Sequence, residues 1–404
     1  MKILMLIHFI PYPPHGGAIQ RTFNLLRELS KHHDIHLVCF SQNLLQADPE
    51  KKKKNIEELS KYCREITILD IPSDNNKFLR LALLFLNLFS LTPFDIWRYR
   101  SKQMAKAIKE RLTQNKIDFF HADTLALAQY KKLTGNMPAA LVHHNVESRY
   151  ILRRGRSEKN PLARFYLYLQ GIKTKRYEKK VAPEFNINIT VSDLDSASFK
   201  EYIPKAVFAS IPNGTDPSYY KPTSEPHEQA LVFTGGMTWY PNRDAMIFFC
   251  KEVFPLIKKQ KADVRLDIIG RTPPEEIIQM ANEDKSIIIH GFVDDIRNYV
   301  AKAAVYIVPI RVGGGTRLKI LDAFSAGKAL VSTSIGCEGI DVTPGVNILI
   351  GDTPREFADQ VIKLLENDTL RAQLGSNARK LIETKYSWDI IGDSLNKLYG
   401  GLQG

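Results

Sequence analysis

A glycine-rich segment at residues 308–327 carries the clearest indication of chemistry in this sequence. Three glycines at 313–315 follow a buried apolar run and allow the backbone to come close to a ligand. Arg317 and Lys319 stand in the first turn of the helix that follows, where positive charge opposes the helix dipole at a cost of roughly 0.3–1 kcal/mol each. A bound anion would offset that cost, because free amides, the dipole and two cations would converge on it. The segment therefore predicts a phosphate site, against the alternative of a flexible loop with two solvated cations.

The same helix carries two more polar side chains. Thr316 is a suitable N-cap, and Gly327 is the expected end of the helix. Asp322 lies beyond the predicted phosphates, where its carboxylate could accept hydrogen bonds from both hydroxyls of a ribose. It could equally pair with Lys319 three residues earlier, which is worth about 0.2–0.5 kcal/mol. The residues alone favour neither role.

Short apolar runs that alternate with longer amphipathic segments must position these groups. Continuous apolar strands separated by helices indicate parallel sheets covered on both faces, and two such series in succession indicate two α/β domains. In the first half the predicted strands are Ile3–Ile7, Ile35–Phe40, Ile66–Ile71, Phe119–His121, Ala140–His143 and Ile187–Val191. In the second half they are Leu231–Thr234, Arg265–Ile269, Ile287–His290, Val305–Val308, Ala329–Ser332 and Ile348–Ile350.

The length of 404 residues exceeds what one hydrophobic core usually serves, so two domains are expected. Turn-forming residues cluster at 211–217, after the first series of strands. We predict a first domain over residues 1–206, a second over 207–385 and a terminal helix with an apolar stripe over 386–404.

The composition is that of a globular protein, with 44% hydrophobic and 25% charged residues. No run of eighteen apolar residues occurs, so no membrane span is expected. Residues 1–7 fit a buried strand better than an export signal, because prolines and glycines follow them without a cleavage site. The four cysteines are scattered without metal spacing, which fits a reducing cytoplasm.

The net charge of +12 arises in the first half of the chain. Residues 1–206 hold 34 Lys and Arg against 20 Asp and Glu, and the remainder holds 22 against 24. A basic domain can face nucleic acid, anionic lipid or an acidic substrate. The cations are spread over several helices and no recognised nucleic-acid module is present, so we expect no nucleic-acid partner.

Taken in order, several segments resemble retaining, family-4-type glycosyltransferases of the GT-B fold. Residues 313–340 resemble that family's donor-binding segment, and residues 212–216 resemble its interdomain turn. Residues 13–17 with Arg21 resemble its first glycine-rich loop. Further matches are residues 235–237, 269–270 and 290–293 as glycine loops of the second domain, and 386–388 as the start of the terminal helix.

The resemblance implies two Rossmann-like domains that face each other across a cleft, with the terminal helix crossing back to the first domain. It implies a nucleotide-sugar donor, a saccharide or lipid-linked acceptor, retention of anomeric configuration, and a role in cell-envelope polysaccharide or glycan synthesis. We expect no cofactor and no metal, since the sequence shows no catalytic metal site. The resemblance implies that the departing phosphate helps to deprotonate the acceptor.

Carried over by position, the resemblance places three groups at the reacting centre, which are His144, Arg317 and Lys319. It places the groups that bind the donor at Gly17, Gly236, Phe292, Val293, Gly314, Gly315, Thr316 and Asp322. The two cations would hold the diphosphate, Asp322 the ribose and Phe292 the base, while Gly17 would present its amide to the distal phosphate. His144 would contact the donor sugar, although a one-residue shift would exchange it with His143.

Two departures from the family pattern affect the donor site. Many relatives carry two glutamates eight positions apart, whereas here the first position is Gly314 and the second is Asp322, which is one methylene shorter. Many relatives also place a basic pair after the first strand of the second domain, where only Arg243 is available here. The phosphate charge would then fall chiefly on Arg317 and Lys319.

Asp193 and Asp195 form a D-x-D string of the kind that holds a metal in another glycosyltransferase fold. The string follows a predicted strand and precedes a helical stretch. We therefore expect it to serve helix capping and solvent exposure rather than metal binding.

Two segments of the first domain are candidates for the acceptor side. Lys77–Leu91 is apolar with basic flanks, too short to span a bilayer but able to lie in its interface, and an ordinary core helix is the open alternative. Residues 153–180 interleave cations with aromatic side chains. We hypothesise a peripheral contact with an anionic membrane, on its cytoplasmic face, where a lipid-linked or envelope saccharide would be met.

Three other classes of protein are alternatives. A nucleotide-sugar epimerase of the same architecture would need a carboxylate-rich catalytic site, which is not evident. A non-enzymatic protein could bind nucleic acid or membrane through the basic half. A periplasmic two-domain binding protein is disfavoured because no export signal is visible.

Overall fold

The computed structural model describes residues 1–14, 16–42, 49–71, 73–74, 76–223, 228–313 and 315–402. The chain forms two compact units. The first consists of Met1–Pro212 together with the segment from Ile391 onward, and the second consists of Asn213–Ile390. The division between them falls at the cluster of turn-forming residues at 211–217.

The first unit is built on a seven-stranded sheet in which every pair of neighbouring strands is parallel. Its strands are β1 (Lys2–Ile7), β2 (Asp34–Ser41), β3 (Glu65–Asp70), β4 (Phe119–Ala122), β5 (Ala139–His143), β6 (Ile187–Thr190) and β7 (Phe208–Ser210). Their order in the sheet is β3-β2-β1-β4-β5-β6-β7. Strands β4, β5 and β6 are buried at every residue, as expected for a parallel sheet covered on both faces.

Among the residues that the structure describes, eight α-helices of the first unit precede the second unit in the sequence. They are α1 (Gly17–Ser30), α2 (Pro49–Leu59), α3 (Lys77–Asn87), α4 (Phe94–Arg98), α5 (Lys102–Gln114), α6 (Glu147–Ser157), α7 (Pro161–Val181) and α8 (Asp193–Lys200). Short 3₁₀ segments cover Leu125–Leu133 and Ala182–Glu184. Helices α3, α5, α7 and α8 each begin at a polar side chain that accepts a hydrogen bond from a first-turn amide, which fixes where these helices start.

The second unit has a six-stranded parallel sheet with the order β10-β9-β8-β11-β12-β13. Its strands are β8 (Glu228–Thr234), β9 (Arg265–Ile269), β10 (Ile287–Gly291), β11 (Ala303–Val308), β12 (Leu330–Ser332) and β13 (Leu349–Ile350). Its helices are α9 (Tyr240–Phe248), α10 (Phe254–Lys258), α11 (Glu275–Glu283), α12 (Arg297–Lys302), α13 (Leu318–Ser325), α14 (Pro354–Glu366) and α15 (Asp368–Leu381), with π-helical segments at Phe249–Val253 and Ile382–Tyr386.

The final helix, α16 (Trp388–Gly400), ends within the first unit. The buried hydroxyl of Tyr399 lies 2.6 Å from Nδ1 of His121, and its ring centroid lies 4.5 Å from that of Phe119 on β4. A Cβ on Gly392 would lie 2.4 Å from the Cβ of Glu28, so α16 approaches α1 at a distance that only glycine allows.

The prediction of two parallel-sheet α/β domains is confirmed, and each of the twelve predicted strands is present. Strand β7 was not predicted, because it has only three residues and only one of them is fully buried. Among the described residues, no helix combines the length and the hydrophobicity that a membrane crossing needs. All four cysteines are buried and carry no disulfide.

Candidate active site

The glycine-rich loop of the second unit joins the end of β11 to the start of α13. Gly313 and Gly315 have φ values of 130° and 70°, in the left-handed region that side chains disfavour. Gly314 lies outside the described residues. The loop therefore follows a backbone path that favours glycine at both described positions.

Thr316 does not cap α13, so that prediction is wrong. The helix begins at Leu318, and Arg317, with an extended backbone, is its N-cap residue. The hydroxyl of Thr316 instead accepts a hydrogen bond from the side-chain amide of Asn213, which lies in the turn at 213–216. Within the described part of the chain, no side chain caps the first amides of α13. These amides can therefore bind water or a ligand.

Arg317 is a buried cation that is held against the glycine loop. Its Nη1 donates to the carbonyl oxygen of Gly315, and its Nη2 donates to that of Ile335 at 3.3 Å. The Nη2 atom lies 3.2 Å from the position that a Cβ would occupy on Gly313. The positive charge is therefore fixed beside the loop instead of extending into solvent.

Lys319 places a second cation in the same region. Its Nζ donates to Oδ1 of Asn242 at 2.8 Å and lies 4.1 Å from the ring centroid of Phe233. Burial, and next the charge of Arg317, lower the pKa of Lys319 well below its usual range. A Cβ on Gly235 would lie 2.6 Å from this Nζ, so the glycine leaves the room that the amino group occupies. An anion bound here would relieve the repulsion between the two cations.

Asp322 accepts a hydrogen bond from the hydroxyl of Thr215 at 2.7 Å. Thr215 is fully buried and belongs to the turn at 213–216, the same turn whose Asn213 contacts Thr316. Burial first, and also the negative charge of Asp322, raise the pKa of the nearby Tyr220 and Tyr306. The carboxylate is thus held by the turn, while the amino group of Lys319 is held by Asn242.

Gly236 lies in the loop after β8, and its carbonyl oxygen accepts a hydrogen bond from Nδ2 of Asn242 at 2.9 Å. Asn242 therefore connects this loop to Lys319. The loops after β8 and β9 touch closely, since a Cβ on Gly270 would lie 2.0 Å from the carbonyl oxygen of Gly235. Backbone meets backbone at this point, which explains the glycines there.

Phe292 presents an aromatic surface after β10. Its side chain is 48% exposed, and the guanidinium of Arg271 lies 3.8 Å from its ring centroid. Val293 follows it and is partly buried. An exposed ring paired with a cation is a platform on which a planar base can stack.

The topology brings these loops to one edge of the second sheet. Strands β10, β9, β8 and β11 are consecutive neighbours, and their carboxyl ends lead to Phe292, Gly270, Gly236 and the glycine loop at 313–315. Ligands of open α/β sheets bind beyond the carboxyl ends of the strands. Gly236, Phe292 and the described glycines of the loop therefore share one edge of the sheet, which a linear sequence does not reveal.

The first unit has a similar junction between β1 and α1. Gly17 begins α1, Gly16 has a φ of 99°, and no side chain of the described residues caps the helix. Arg21, one turn further along, is 1% exposed, and its guanidinium donates to the carbonyl oxygens of Ile211 and Pro212, both at 2.7 Å. Arg21 therefore holds the chain at the end of the first unit.

His143 and His144 differ in burial. His143 is 1% exposed, its Nε2 lies 3.1 Å from Oδ1 of Asn188, and burial lowers its pKa to about 4. The side chain of His144 is 13% exposed, and its Nε2 donates to the carbonyl oxygen of Asp123 at 2.8 Å. Its Nδ1 has no hydrogen-bond partner among the described residues. Of the two histidines, His144 is the one that can meet a ligand.

Asp123, which the sequence reasoning missed, connects several polar side chains of the first unit. It follows β4 and is 1% exposed. Its Oδ2 accepts from the hydroxyl of Thr22 at 2.8 Å and lies 3.3 Å from Nε2 of His144, while its Oδ1 lies 3.5 Å from Nε2 of His121. Burial by itself would raise the pKa of Asp123, but His144 and His121 lower it well below its usual range. The feature of the sequence that could have identified Asp123 is its position directly after a buried strand.

The D-x-D string lies at the start of α8. Ser192 is the N-cap residue, accepts a hydrogen bond from the amide of Asp195 and donates to its carboxylate. Asp193 is exposed in the first turn. Both carboxylates thus lie at the positive end of a helix dipole, where negative charge is favourable.

Two family models match the chain. Residues 15–219, half of the chain, match Glycosyltransferase Family 4, and residues 228–367 match Glycosyl transferases group 1. A Klebsiella pneumoniae protein described as an uncharacterized 44.6 kDa protein in the cps region is 22% identical, covering 98% of this chain and 99% of its own. The GDP-mannose-dependent monoacylated alpha-(1-6)-phosphatidylinositol monomannoside mannosyltransferase of Corynebacterium glutamicum is 22% identical, covering 54% of this chain and 63% of its own.

Solved structures of the same fold cover the whole chain. Sucrose-phosphate synthase from Thermosynechococcus elongatus is 16% identical with a TM-score of 0.74, over 100% of this chain and 99% of its own. Anabaena HepE in complex with UDP and glucose is 15% identical with a TM-score of 0.69, over 99% of this chain and 100% of its own. These likenesses show the fold, and the prediction of a two-domain GT-B fold is confirmed.

Proposed function

We propose, since this chain belongs to glycosyltransferase family 4, that it transfers a sugar from a nucleoside diphosphate to a saccharide or lipid-linked acceptor with retention of anomeric configuration. The proposed setting is the synthesis of cell-envelope polysaccharide or glycan. One observation carries the donor assignment. Two cations with restricted solvent access, Arg317 and Lys319, stand beside the start of α13, whose first amides no side chain of the described residues caps.

The diphosphate is the ligand that this arrangement fits. Two fixed positive charges repel each other, and the lowered pKa of Lys319 reflects burial together with that repulsion. A diphosphate brings about two negative charges, and it would accept hydrogen bonds from both cations and from the amides of Gly315, Thr316 and α13. Gly314 contributes its amide in the same proposal, by its position in the sequence.

The nucleoside would extend from the diphosphate along the carboxyl edge of the second sheet. Asp322, held by Thr215, accepts from the ribose hydroxyls. Phe292 and Val293 border the base, with the exposed ring of Phe292 as the stacking surface. Gly236 contributes backbone to the loop that carries Asn242, the partner of Lys319. The Corynebacterium mannosyltransferase is described as GDP-mannose-dependent, and the HepE structure contains UDP, and both ligands are of this class.

The transfer step breaks the bond between the anomeric carbon and the phosphate oxygen, and it forms a bond from the acceptor oxygen to the same carbon. The proton of the acceptor hydroxyl passes to the departing phosphate, so atoms and charge balance without a metal. Arg317 and Lys319 stabilise the negative charge on that phosphate, an interaction that strengthens as the bond breaks.

The first unit supplies the groups around the sugar in this proposal. His144 has its Nε2 held by Asp123, so its Nδ1 can accept from a hydroxyl of the donor sugar. The carboxylate of Asp123 stabilises any positive charge that develops on the imidazole ring of His144. Gly17 presents its amide, at the start of α1, to the distal phosphate.

We place the reaction in the cytoplasm. All four cysteines are buried without a disulfide, which fits a reducing compartment.

A thermal-shift screen tests the donor assignment. The purified protein is heated with UDP, GDP, ADP, CMP and their sugar conjugates, each with and without a chelator. One nucleoside diphosphate is expected to raise Tm in both conditions, because a ligand at 100 times its Kd stabilises by about 2.7 kcal/mol. Lys319→Ala is expected to lose this shift. The matched control Lys302→Ala, an exposed lysine of the same unit, is expected to keep it.

The reaction is tested with the nucleotide sugar that the screen identifies. Product analysis by NMR is expected to give the same anomeric configuration as the donor. An equal Tm shift in wild type and Lys319→Ala would overturn the phosphate assignment. An inverted product would overturn retention while leaving the donor site intact.

A further inference from the structure

Exposed apolar side chains are concentrated on one helix of the first unit. Eighteen large hydrophobic side chains are exposed among the described residues, and eight of them lie within residues 78–91, on α3 and the turn after it. These eight are Phe78, Leu79, Leu81, Phe85, Leu86, Leu88, Phe89 and Leu91, with exposures from 36% to 85%. A patch of this kind on a globular protein marks an interaction surface.

Helix α3 is attached to the unit at its polar end. Asn87, its last residue, is fully buried and accepts hydrogen bonds from Nε2 of Gln170 at 3.0 Å and, at its carbonyl oxygen, from Nζ of Lys173 at 2.6 Å. At 100° per residue, Phe78 and Phe85 project from the side opposite to Asn87. The apolar face of α3 therefore points away from the protein, and an ordinary core helix, the alternative left open above, is excluded.

Helix α7, whose Gln170 and Lys173 contact Asn87, carries further exposed apolar side chains and positive charge. Leu162, Phe165 and Ile172 are 80%, 67% and 50% exposed. The helical hairpin formed by α6 and α7, residues 147–181, holds eleven Lys and Arg against three Asp and Glu. Residues 77–91 contain two cations and no acidic residue. We define the exposed residues of α3, the turn to residue 91 and the exposed face of α7 as the apolar-basic surface.

The combination of apolar side chains and excess positive charge fits an anionic lipid bilayer. Aromatic and leucine side chains enter the boundary between headgroups and acyl chains, while Lys and Arg remain at the level of anionic headgroups. Helix α3 has 11 residues, so its length of about 16 Å is well short of the roughly 30 Å hydrocarbon core. It can lie in the interface but cannot cross.

We propose that the apolar-basic surface docks this protein on an anionic lipid bilayer, with α3 lying in the interface. The proposal goes beyond the transfer reaction and does not depend on it, since no residue of the surface is among those assigned to the donor. It favours an acceptor that is itself held in the bilayer.

Vesicle co-sedimentation tests the proposal with the full chain. Wild type is expected to bind vesicles of phosphatidylcholine and phosphatidylglycerol, to bind phosphatidylcholine alone at least about tenfold more weakly, and to lose affinity as salt rises. The double variant Phe78→Ser with Phe85→Ser is expected to bind the anionic vesicles at least about tenfold more weakly. Its matched control is Val207→Ser with Val346→Ser, which removes two apolar side chains that are 59% and 47% exposed elsewhere, and it is expected to bind as wild type does.

A charge variant separates the two contributions. Arg176→Glu with Lys180→Glu reverses two exposed cations of α7 and is expected to remove most of the preference for anionic over neutral vesicles. Lys285→Glu with Lys302→Glu is the matched control on exposed lysines of the second unit, with wild-type binding expected.

Three outcomes would overturn the proposal. One is no sedimentation with anionic vesicles, and another is an equal loss of binding in the Phe78/Phe85 variant and its control. The third is a dimer in solution that Phe78→Ser with Phe85→Ser dissociates, without vesicle binding by wild type, because the surface would then be covered by a second copy. The thermal shift with nucleotide is read on the same samples, so failure of docking is distinguished from failure of the donor site.

Discussion

The two units contain similar junctions in which a strand leads through glycines to a helix, yet their arginines contact different parts of the chain. In the first unit, β1 leads through Gly16 to α1, and Arg21 donates to the carbonyl oxygens of Ile211 and Pro212. In the second, β11 leads through the glycine loop to α13, and Arg317 lies against that loop beside Lys319. Both helices begin without a side-chain cap within the described residues.

The difference shows that an arginine near a glycine loop does not by itself indicate a ligand. Arg21 is a full turn into its helix, where its guanidinium reaches the end of its own unit and donates to two carbonyl oxygens. Arg317 stands at the N-cap of α13, so its charge stays next to the free amides. Arg317 is a candidate ligand group because it stands at the start of its helix with a second cation nearby. Among the described residues, Arg21 has neither feature.

Arg21→Ala should have the largest effect, and it should act on stability alone. The variant leaves two carbonyl groups without their charged donor, and the free energy of unfolding of the first unit should fall by about 3 kcal/mol. Urea denaturation measures the loss of stability, and the affinity of the second unit for the nucleotide should be unchanged. Arg243→Ala, an exposed arginine, is the control and should change stability by less than about 0.5 kcal/mol. A loss of affinity for the nucleotide without a loss of stability would contradict a structural role for Arg21.

Thr215→Val should have an intermediate effect at the second junction. It removes the 2.7 Å hydrogen bond to Asp322 with little change in side-chain volume, so the carboxylate loses its positioning partner. Donor affinity should fall roughly tenfold, which corresponds to about 1.4 kcal/mol. Calorimetric titration with the nucleotide measures it. Thr215→Ser, which keeps the hydroxyl, should restore most of the affinity, and a serine variant as weak as the valine variant would argue against positioning of Asp322.

Proton uptake when the diphosphate binds should be the smallest effect, below one proton per donor site. Burial and the charge of Arg317 lower the pKa of Lys319. At pH values between that lowered pKa and the ordinary value of about 10.4, the folded protein therefore binds fewer protons than the unfolded chain. The free energy of unfolding rises with pH across this window. A bound diphosphate raises the pKa again, so binding within the window should take up a proton. Titrations in buffers of different ionisation enthalpy measure the uptake. Lys319→Arg should bind without it, and equal uptake by that variant would assign the proton to another group.

Most strands were predictable because they are apolar runs buried in a covered parallel sheet. Strand β7 was missed because only one of its three residues is buried, whereas the equally short β12 is buried throughout. The glycine loop and its two cations were predictable because they are adjacent in sequence. Thr316 was assigned wrongly as an N-cap because its hydroxyl is engaged by Asn213, which is 103 residues away. Local preference does not report a competing partner at that separation.

Other parts of the candidate site depend on packing that no local pattern encodes. His143 packs against Phe199, with 4.5 Å between ring centroids, whereas the adjacent His144 remains partly exposed. Asp123 contacts Thr22 and His144, which come from two other parts of the chain, as well as His121 two residues before it. For α3, the sequence gives the amphipathic helix but not whether another element covers it.

The chain path of the second unit has a consequence for biosynthesis. Its entry and exit are paired, since the amide of Thr215 donates to the carbonyl oxygen of Tyr386 at 2.8 Å and the amide of Trp388 donates to that of Thr215 at 3.2 Å. A ribosome therefore completes the whole second unit before it makes Tyr399, the residue that packs on Phe119 and His121 of the first. The unit that is synthesised first must wait longest for its final contacts, so slow or interrupted translation should expose its sheet to chaperones and proteases.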